Sequence, residues 1–326
     1  MYYNGGDPIL LINNADITDI SFNIKYVSRW NSGAGTLTFE YPLAAGTPYE
    51  NGSTVVFTYG NSNIFYGFLF KSQMDSKKIK CTCYDQLRYF KSKNSLMRQV
   101  QTLASFVNDV AYSVGERVRL GQIDETEIKL SKKLFDNKTH LDMLYESIQD
   151  NLLLNEYQYT LRDNFGAIEL RDTYDLRIPL VIGDNSLAID YDYVRSIDDD
   201  TYNYIKVAKD DKKKAVRNTY VASDSGTIGQ WGKLMLYDKV SADLNDVQLA
   251  ERATRLLKIK NHETETLRVE CIGDTRIFGG TGVKVEIADA GIDLWAIVDC
   301  VTHEFQGAKH TMKLDLLYGR WYRGLS

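Results

Sequence analysis

Residues 53–84 read STVVFTYGNSNIFYGFLFKSQMDSKKIKCTCY, three runs rich in β-branched and aromatic residues, 53–59, 64–73 and 78–84, broken at Gly60-Asn61 and at Asp75-Ser76. Each run has a strand's length, and the breaks consist of residues that tolerate positive φ or hydrogen-bond their own backbone. Upstream, 20–26 and 35–41 have the same composition, with Asn31-Ser32-Gly33 between them and Glu50-Asn51-Gly52 before the quoted stretch. Five short strands with no helical run to cross over between them imply an antiparallel barrel or sandwich over residues 1–93. Cys81 and Cys83 fall on alternate positions of one strand and hence on one face.

Beyond this block the period changes. Leu96, Val100, Leu103, Val107, Val110 and Val114 recur at three- and four-residue steps until Gly115, which predicts an amphipathic helix starting near Ser95. A second helix is expected from Thr139, whose spacing to Asp142 is that of a capping box, through Leu141, Leu144, Ile148 and Leu152. Alternating residues on both sides of Asp163-Asn164-Phe165-Gly166 predict a hairpin. Residues 94–190 are therefore expected to form a small α/β domain. Strand-like runs resume at 202–209. A polar turn at Asp210–Lys214, a hairpin-like pair at 216–222 and 233–240, and a helix over 245–260 with Val247, Ala250, Ala253 and Leu257 on one face come next. Four more strands are expected at 266–272, 282–288, 294–305 and 310–318. Together with 202–209 they would make a second β-domain, 191–326, interrupted at about 210–263.

Composition bounds the function. The chain has 326 residues, 44% hydrophobic and 25% charged, an ordinary globular balance that excludes disorder and low-complexity stalks. Its 22 Tyr and 12 Phe against 4 Pro favour pleated sheet. A net charge of -5 gives no long-range attraction to phosphate backbones or anionic membranes. No apolar run nears the roughly 18 residues of a spanning helix, and Met1–Asp7 lacks a signal peptide's layout, so synthesis in a cytoplasm is expected. Cys81, Cys83, Cys271 and Cys300 form no C-x-x-C pair and read as reduced structural thiols.

The search for chemistry yields weak candidates. Asp224-Ser225-Gly226 has the look of a serine-nucleophile segment, but the one upstream histidine, His140, starts a predicted helix, so a polar turn is expected. His303 and His310 bracket a turn between two strands without a third ligand at metal spacing, and are expected to bond backbone. Gly279-Gly280-Thr281-Gly282 is followed by a strand rather than a helix, which makes a turn or bulge rather than a phosphate loop. Asp198-Asp199-Asp200 lacks the glycine and terminal glutamate of a calcium loop, and Lys212-Lys213-Lys214 is balanced by Asp210-Asp211. No carboxylate pair stands apart from surface acids.

The run from Lys80 to Phe90 (KCTCYDQLRYF), Gln230-Trp231-Gly232, Leu249–Ala253, Gly273-Asp274, Val301-Thr302-His303 and His310–Leu316 resemble the late control protein D and XkdQ/YqbQ family, baseplate hub proteins of contractile phage tails and of tail-like bacteriocins such as diffocins. The resemblance implies a mainly β fold with α+β insertions, in which two related antiparallel β-barrels are separated by a small α/β domain. It also implies a trimeric ring that adapts a hexameric tail tube to a trimeric central spike, with other baseplate proteins as partners and no nucleic acid or membrane insertion. The positions it carries over, Cys83, Tyr84, Asp85, Trp231, Gly232, Gly273, Asp274, His303 and His310, are structural; no catalytic, cofactor-binding or metal-ligating residue is implied. A tail-associated cell-wall hydrolase is the alternative, and a carbohydrate-binding β-protein a third. The short final segment, Gly319–Ser326, argues against a fused lysozyme or spike domain.

Overall fold

The computed structural model describes residues 6–183, 188–198, 200–211, 216–240, 244–288 and 291–318. Asp199, the Lys212-Lys213-Lys214 run and the final segment 319–326 lie outside them. The chain divides into two compact units, residues 1–152, 156–192 and 267–326 in the larger and 153–155 with 193–266 in the smaller.

The larger unit is built on a 13-stranded sheet. Its first half runs, in hydrogen-bonding order, Pro8–Ile12, Thr54–Tyr59, Ser62–Met74, Lys78–Tyr84, Thr36–Pro42 and Phe22–Arg29, all antiparallel. Phe22–Arg29 then pairs with Ile292–Gln306, from Cys300 opposite Arg29 to Phe305 opposite Ile24. Ile292–Gln306 also pairs with Gly282–Ile287 and with Lys309–Tyr318, which makes it common to both halves of the sheet. Arg177–Gly183 adds to Gly282–Ile287 in parallel. The protein is thus mainly β with α+β insertions.

Period-2 alternation builds the first core: Leu37, Phe39 and Tyr41, then Val55, Phe57 and Tyr59, then Ile79, Cys81 and Cys83 all point inward and are buried. Phe305 joins them from the far end of the chain, its ring 4.9 Å from Phe57 and 5.1 Å from Tyr59. The Tyr59 hydroxyl donates to the Ala308 carbonyl at 2.7 Å, so the sheet curls until Thr54–Tyr59 meets the last hairpin. Burial raises the Cys81 thiol to about 11 and Cys271 to about 12, which leaves both un-ionised at neutral pH.

A second core lies under helices α1 (Leu103–Val114) and α2 (His140–Asn155). The capping box of α2 forms as expected: the Thr139 side chain accepts from the Asp142 amide, whose carboxylate accepts from the Thr139 amide. α1 begins eight residues later than the pattern suggests, capped by Thr102. Residues Lys93–Arg98 instead pair antiparallel with Lys133–Thr139, and Leu96 reaches the same core from a strand while Val100 is exposed. The helical spacing of Leu96 and Val100 is coincidental. The expected hairpin is present as Tyr159–Asp163 and Ile168–Asp172, its turn held by Phe165 (φ 50°) and Gly166 (φ 87°).

In the smaller unit the strand Tyr204–Asp211 does not join the last four strands as the sequence suggests. It is the centre of a separate three-stranded sheet, between Val216–Ser223 and Met235–Lys239. The expected hairpin-like pair is likewise absent, because α3 (Ser225–Trp231) occupies the connection and returns the chain as a parallel crossover onto Tyr204–Asp211. α4 (Asp246–Lys260) matches its expected span, but it buries Leu249, Ala253, Leu256 and Ile259 and leaves Val247 exposed.

One buried cation organises the helical core. Arg98 is 2% exposed and donates to Ser147 Oγ (2.7 Å), Asp150 (3.0 Å) and, from Nε and Nη2, the Ser131 carbonyl, beside the stacked rings of Phe106 and Phe135. Removing a buried ion-pair partner costs about 3–5 kcal/mol. Arg98→Ala is therefore expected to lower unfolding free energy in urea by about 3 kcal/mol, and Arg98→Lys, which keeps the charge but not the planar fork, to restore less than half of it.

Candidate functional site

Seven of the nine positions expected from the resemblance lie in the larger unit and cluster along two strand ends. His303 and His310 sit on the hairpin Ile292–Gln306 and Lys309–Tyr318, with Phe305 opposite His310 and His303 opposite Met312. The His303 Nε2–H donates to the Ile277 carbonyl at 2.9 Å, so its Nδ1 is the acceptor for His310 Nε2–H, also at 2.9 Å. His310 Nδ1 is buried without a partner. Burial pushes His303 down to about 4 and His310 to about 3, so the pair is neutral at physiological pH. A Cβ on Gly273 would lie 2.2 Å from the His310 ring, which explains the glycine; its amide donates to the His310 carbonyl at 2.9 Å. Asp274 next to it accepts from the Arg276 amide and guanidinium.

At the other strand end Asp85 follows the buried Cys83 and the half-buried Tyr84, whose ring faces Arg88, and caps the short 3-10 helix Gln86–Lys91. Its carboxylate accepts from the amides of Gly35 (2.6 Å) and Leu87 (2.9 Å). Asp163, first residue of the hairpin turn, accepts from Gly166 (2.7 Å) and Gln86 (3.3 Å). Consecutive amides, Gln86 and Leu87, therefore feed two different carboxylates, which brings the acids side by side. Both line a cavity of about 220 Å³ with Tyr26, Arg162, Phe278 and His303. Burial raises Asp163 to about 7 and, with the neighbouring charge of Asp163 added, Asp85 well above the carboxylate range. The Arg162 charge opposes this rise at Asp163 without overcoming burial, since Arg162 is itself paired with Glu169 at 2.8 Å and stacked 3.7 Å over Phe278. A carboxylate pair is therefore present where none was expected. Its sequence signals were an N-cap at Asp85 and a turn at Asp163, and nothing in either run joins them.

Trp231 and Gly232 lie in the smaller unit, where Trp231 ends α3 and Gly232 (φ 79°) closes it, its amide bonded to the Ile228 carbonyl and its own carbonyl to Asn203. Ser225 opens the same helix, and among the described residues it makes no hydrogen bond to a histidine; His140 is buried at the start of α2 with Nδ1 against Ser92. Gly280 (φ 95°) turns the glycine-rich stretch, and a Cβ on Gly279 would meet the backbone of Arg29 and Trp30. Asp200 pairs with Lys260. Among the described residues no three His, Cys, Asp or Glu side chains converge as a metal would require, and no helix is long and apolar enough to cross a membrane.

This architecture is the fold of tail proteins of known structure. It superposes on the 43 kDa tail protein of prophage MuSo2 from Shewanella oneidensis with a TM-score of 0.72 (11% identity, 95% of this chain and 98% of that one). The tail protein from Neisseria meningitidis MC58 gives 0.74 (12% identity, 98% of each chain). In sequence the chain is 27% identical over 273 residues to the phage-like element PBSX protein XkdQ of Bacillus subtilis strain 168, covering 82% of each, and 26% identical over 271 residues to YqbQ of the same strain, again 82% of each. The YQBQ-like family model matches residues 24–317, and the chain belongs to that family.

The two polar clusters titrate in opposite senses. The histidines are depressed from 6.5, so the unfolded chain takes up protons first and their contribution is lost as pH falls from about 6.5 towards 4. Asp163 is raised from 3.8 to about 7, so the folded chain holds a proton the unfolded one has released, and stability falls as pH rises across that window. In urea titrations at stepped pH, His310→Gln is expected to flatten the loss below pH 6.5, and Asp163→Asn the loss between about pH 4 and 7. Unchanged slopes in both variants would remove these groups from the pH dependence.

Proposed function

We propose that this chain is the structural hub of a phage-tail or bacteriocin-like baseplate, a homotrimeric ring that adapts the hexameric tail tube to the trimeric central spike and touches other baseplate proteins. It is made in the bacterial cytoplasm and built into the particle. The observation that carries this reading is the strand Ile292–Gln306: one edge bonds first to Gly282–Ile287 and then to the N-terminal strand Phe22–Arg29, while the other edge bonds to Lys309–Tyr318 from Ala296 to Gln306. Two related barrels held on one shared strand would let three chains offer six barrels to a sixfold tube. Membership of the YQBQ-like family and the tail-protein fold support it.

The working parts in this reading are surfaces, and the chain is not an enzyme. The Asp85 and Asp163 pair does not favour the hydrolase alternative: each carboxylate is occupied by two backbone donors, and a 220 Å³ cavity falls short of the roughly 300–1,000 Å³ of ligand pockets.

Three measurements test it. A particle reconstruction is expected to show three copies of the chain in one ring; one copy or six would defeat the symmetry argument. In solution without the spike, trimerisation is expected to be weak, because a charge of -5 on each chain is repulsive. Zymography on purified cell wall is expected to show no clearing, and clearing abolished by Ser225→Ala or Asp163→Asn would revive the hydrolase.

A further inference from the structure

Among the described residues α4 covers one face of the three-stranded sheet of the smaller unit, and the other face, where the small Ala208 is buried, is exposed along its two edge strands. Ile205 and Val207 of its central strand are fully buried, in register with Leu236 and Asp238 on one neighbour. α4 lies on that side: Lys209 pairs with Asp246, and Arg252 with Asp238. Strand alternation sends the intervening residues to the opposite face. There Met235, Tyr237 and Val221 are 50%, 43% and 39% exposed, with Lys206 in register between Val221 and Tyr237. Arg217 and Lys239 both reach Asp210, each at 2.6 Å, and Lys233 Nζ stands 3.6 Å over the Tyr204 ring. Among the described residues the face sets four cations against one carboxylate, with Lys206 on the central strand flanked by exposed apolar residues of the two edge strands, on a chain whose net charge is -5.

We infer that this face docks a carboxylate-bearing surface of a second protein of the particle, one other than this chain, an inference that rests on the baseplate reading above. Exposed Tyr, Met and Val interleaved with cations make a mixed apolar and basic contact surface, and the cations select an acidic partner. A symmetric contact with another copy would set Lys206 and Lys239 against their own kind. Three strands at about 4.8 Å spacing and about 3.3 Å per residue offer roughly 300 Å², short of the ~800 Å² per partner of a stable contact. The occupant must therefore be held at other points too, as a neighbouring subunit of an assembly is.

The test compares intact particles with the isolated chain. Both are acetylated with an N-hydroxysuccinimide ester, and particles are also treated with a carbodiimide, which condenses a lysine amine and a touching carboxylate to an amide with loss of water; peptides are read by mass spectrometry. Lys206, Lys233 and Lys239 are expected to be acetylated about tenfold less in the particle, with at least one carbodiimide link to an Asp or Glu of another protein. Lys206→Glu with Lys239→Glu is expected to keep the melting temperature and lower incorporation about tenfold. Equal acetylation in both states, links to copies of this chain alone, or undiminished incorporation of the double variant would overturn the inference while leaving the hub reading standing. Binding of a fluorescent oligothymidylate by the isolated chain at physiological salt, lost in Tyr204→Ala, would overturn it in favour of a single-stranded nucleic acid. A particle that lacks the chain overturns both.

Discussion

The backbone hydrogen bonds of Ile292–Gln306 to Phe22–Arg29 join residues from opposite ends of the chain, and the first core is incomplete without them. Phe305 fills the space beside Phe57 and Tyr59, and an aromatic side chain removed from such a core costs about 3–5 kcal/mol. The N-terminal strands, although contiguous in sequence, therefore reach their final packing only when the last hairpin arrives. Closing so long a loop costs little more than closing a shorter one, because the entropy grows with the logarithm of length. What it lengthens is the search, which makes a slow, non-local folding step the expected consequence.

The elements legible in the sequence were those fixed by short-range chemistry. The alternation of Val55, Phe57 and Tyr59, the capping box at Thr139 and Asp142, and the turn at Asp163–Gly166 each depend on residues within a few positions of one another. Where the reading failed, a distant partner decided the outcome. Lys93–Arg98 is a strand because Lys133–Thr139 lies beside it, and Tyr204–Asp211 leaves the barrel strands because α3 carries Met235–Lys239 back to its edge. The site followed the same rule: the turn between His303 and His310 was visible, as was backbone bonding at one of them, but not that the two imidazoles bond each other. The Asp85 and Asp163 pair was invisible, since it exists only because the hairpin turn meets the strand end at Gln86.

These buried polar groups form one seam rather than two sites. Asp163 and Asp85 share a cavity with Tyr26 and His303, Tyr26 stacks on the His303 ring at 6.1 Å, and His303 passes the bonding on to His310 and Ile277. Buried polar groups of this kind add less to net stability than apolar packing would, because each must be stripped of water. Their geometry is nonetheless demanding. A one-residue slip of Ile292–Gln306 against Phe22–Arg29 would turn Phe305 out of the core and carry His303 away from the Ile277 carbonyl, stranding donors and acceptors in the interior. An all-apolar strand would lose only packing on such a slip and could recover part of it in the new register. The polar seam thus penalises the wrong register more heavily than it rewards the right one, and it does so on the strand that both halves of the sheet share.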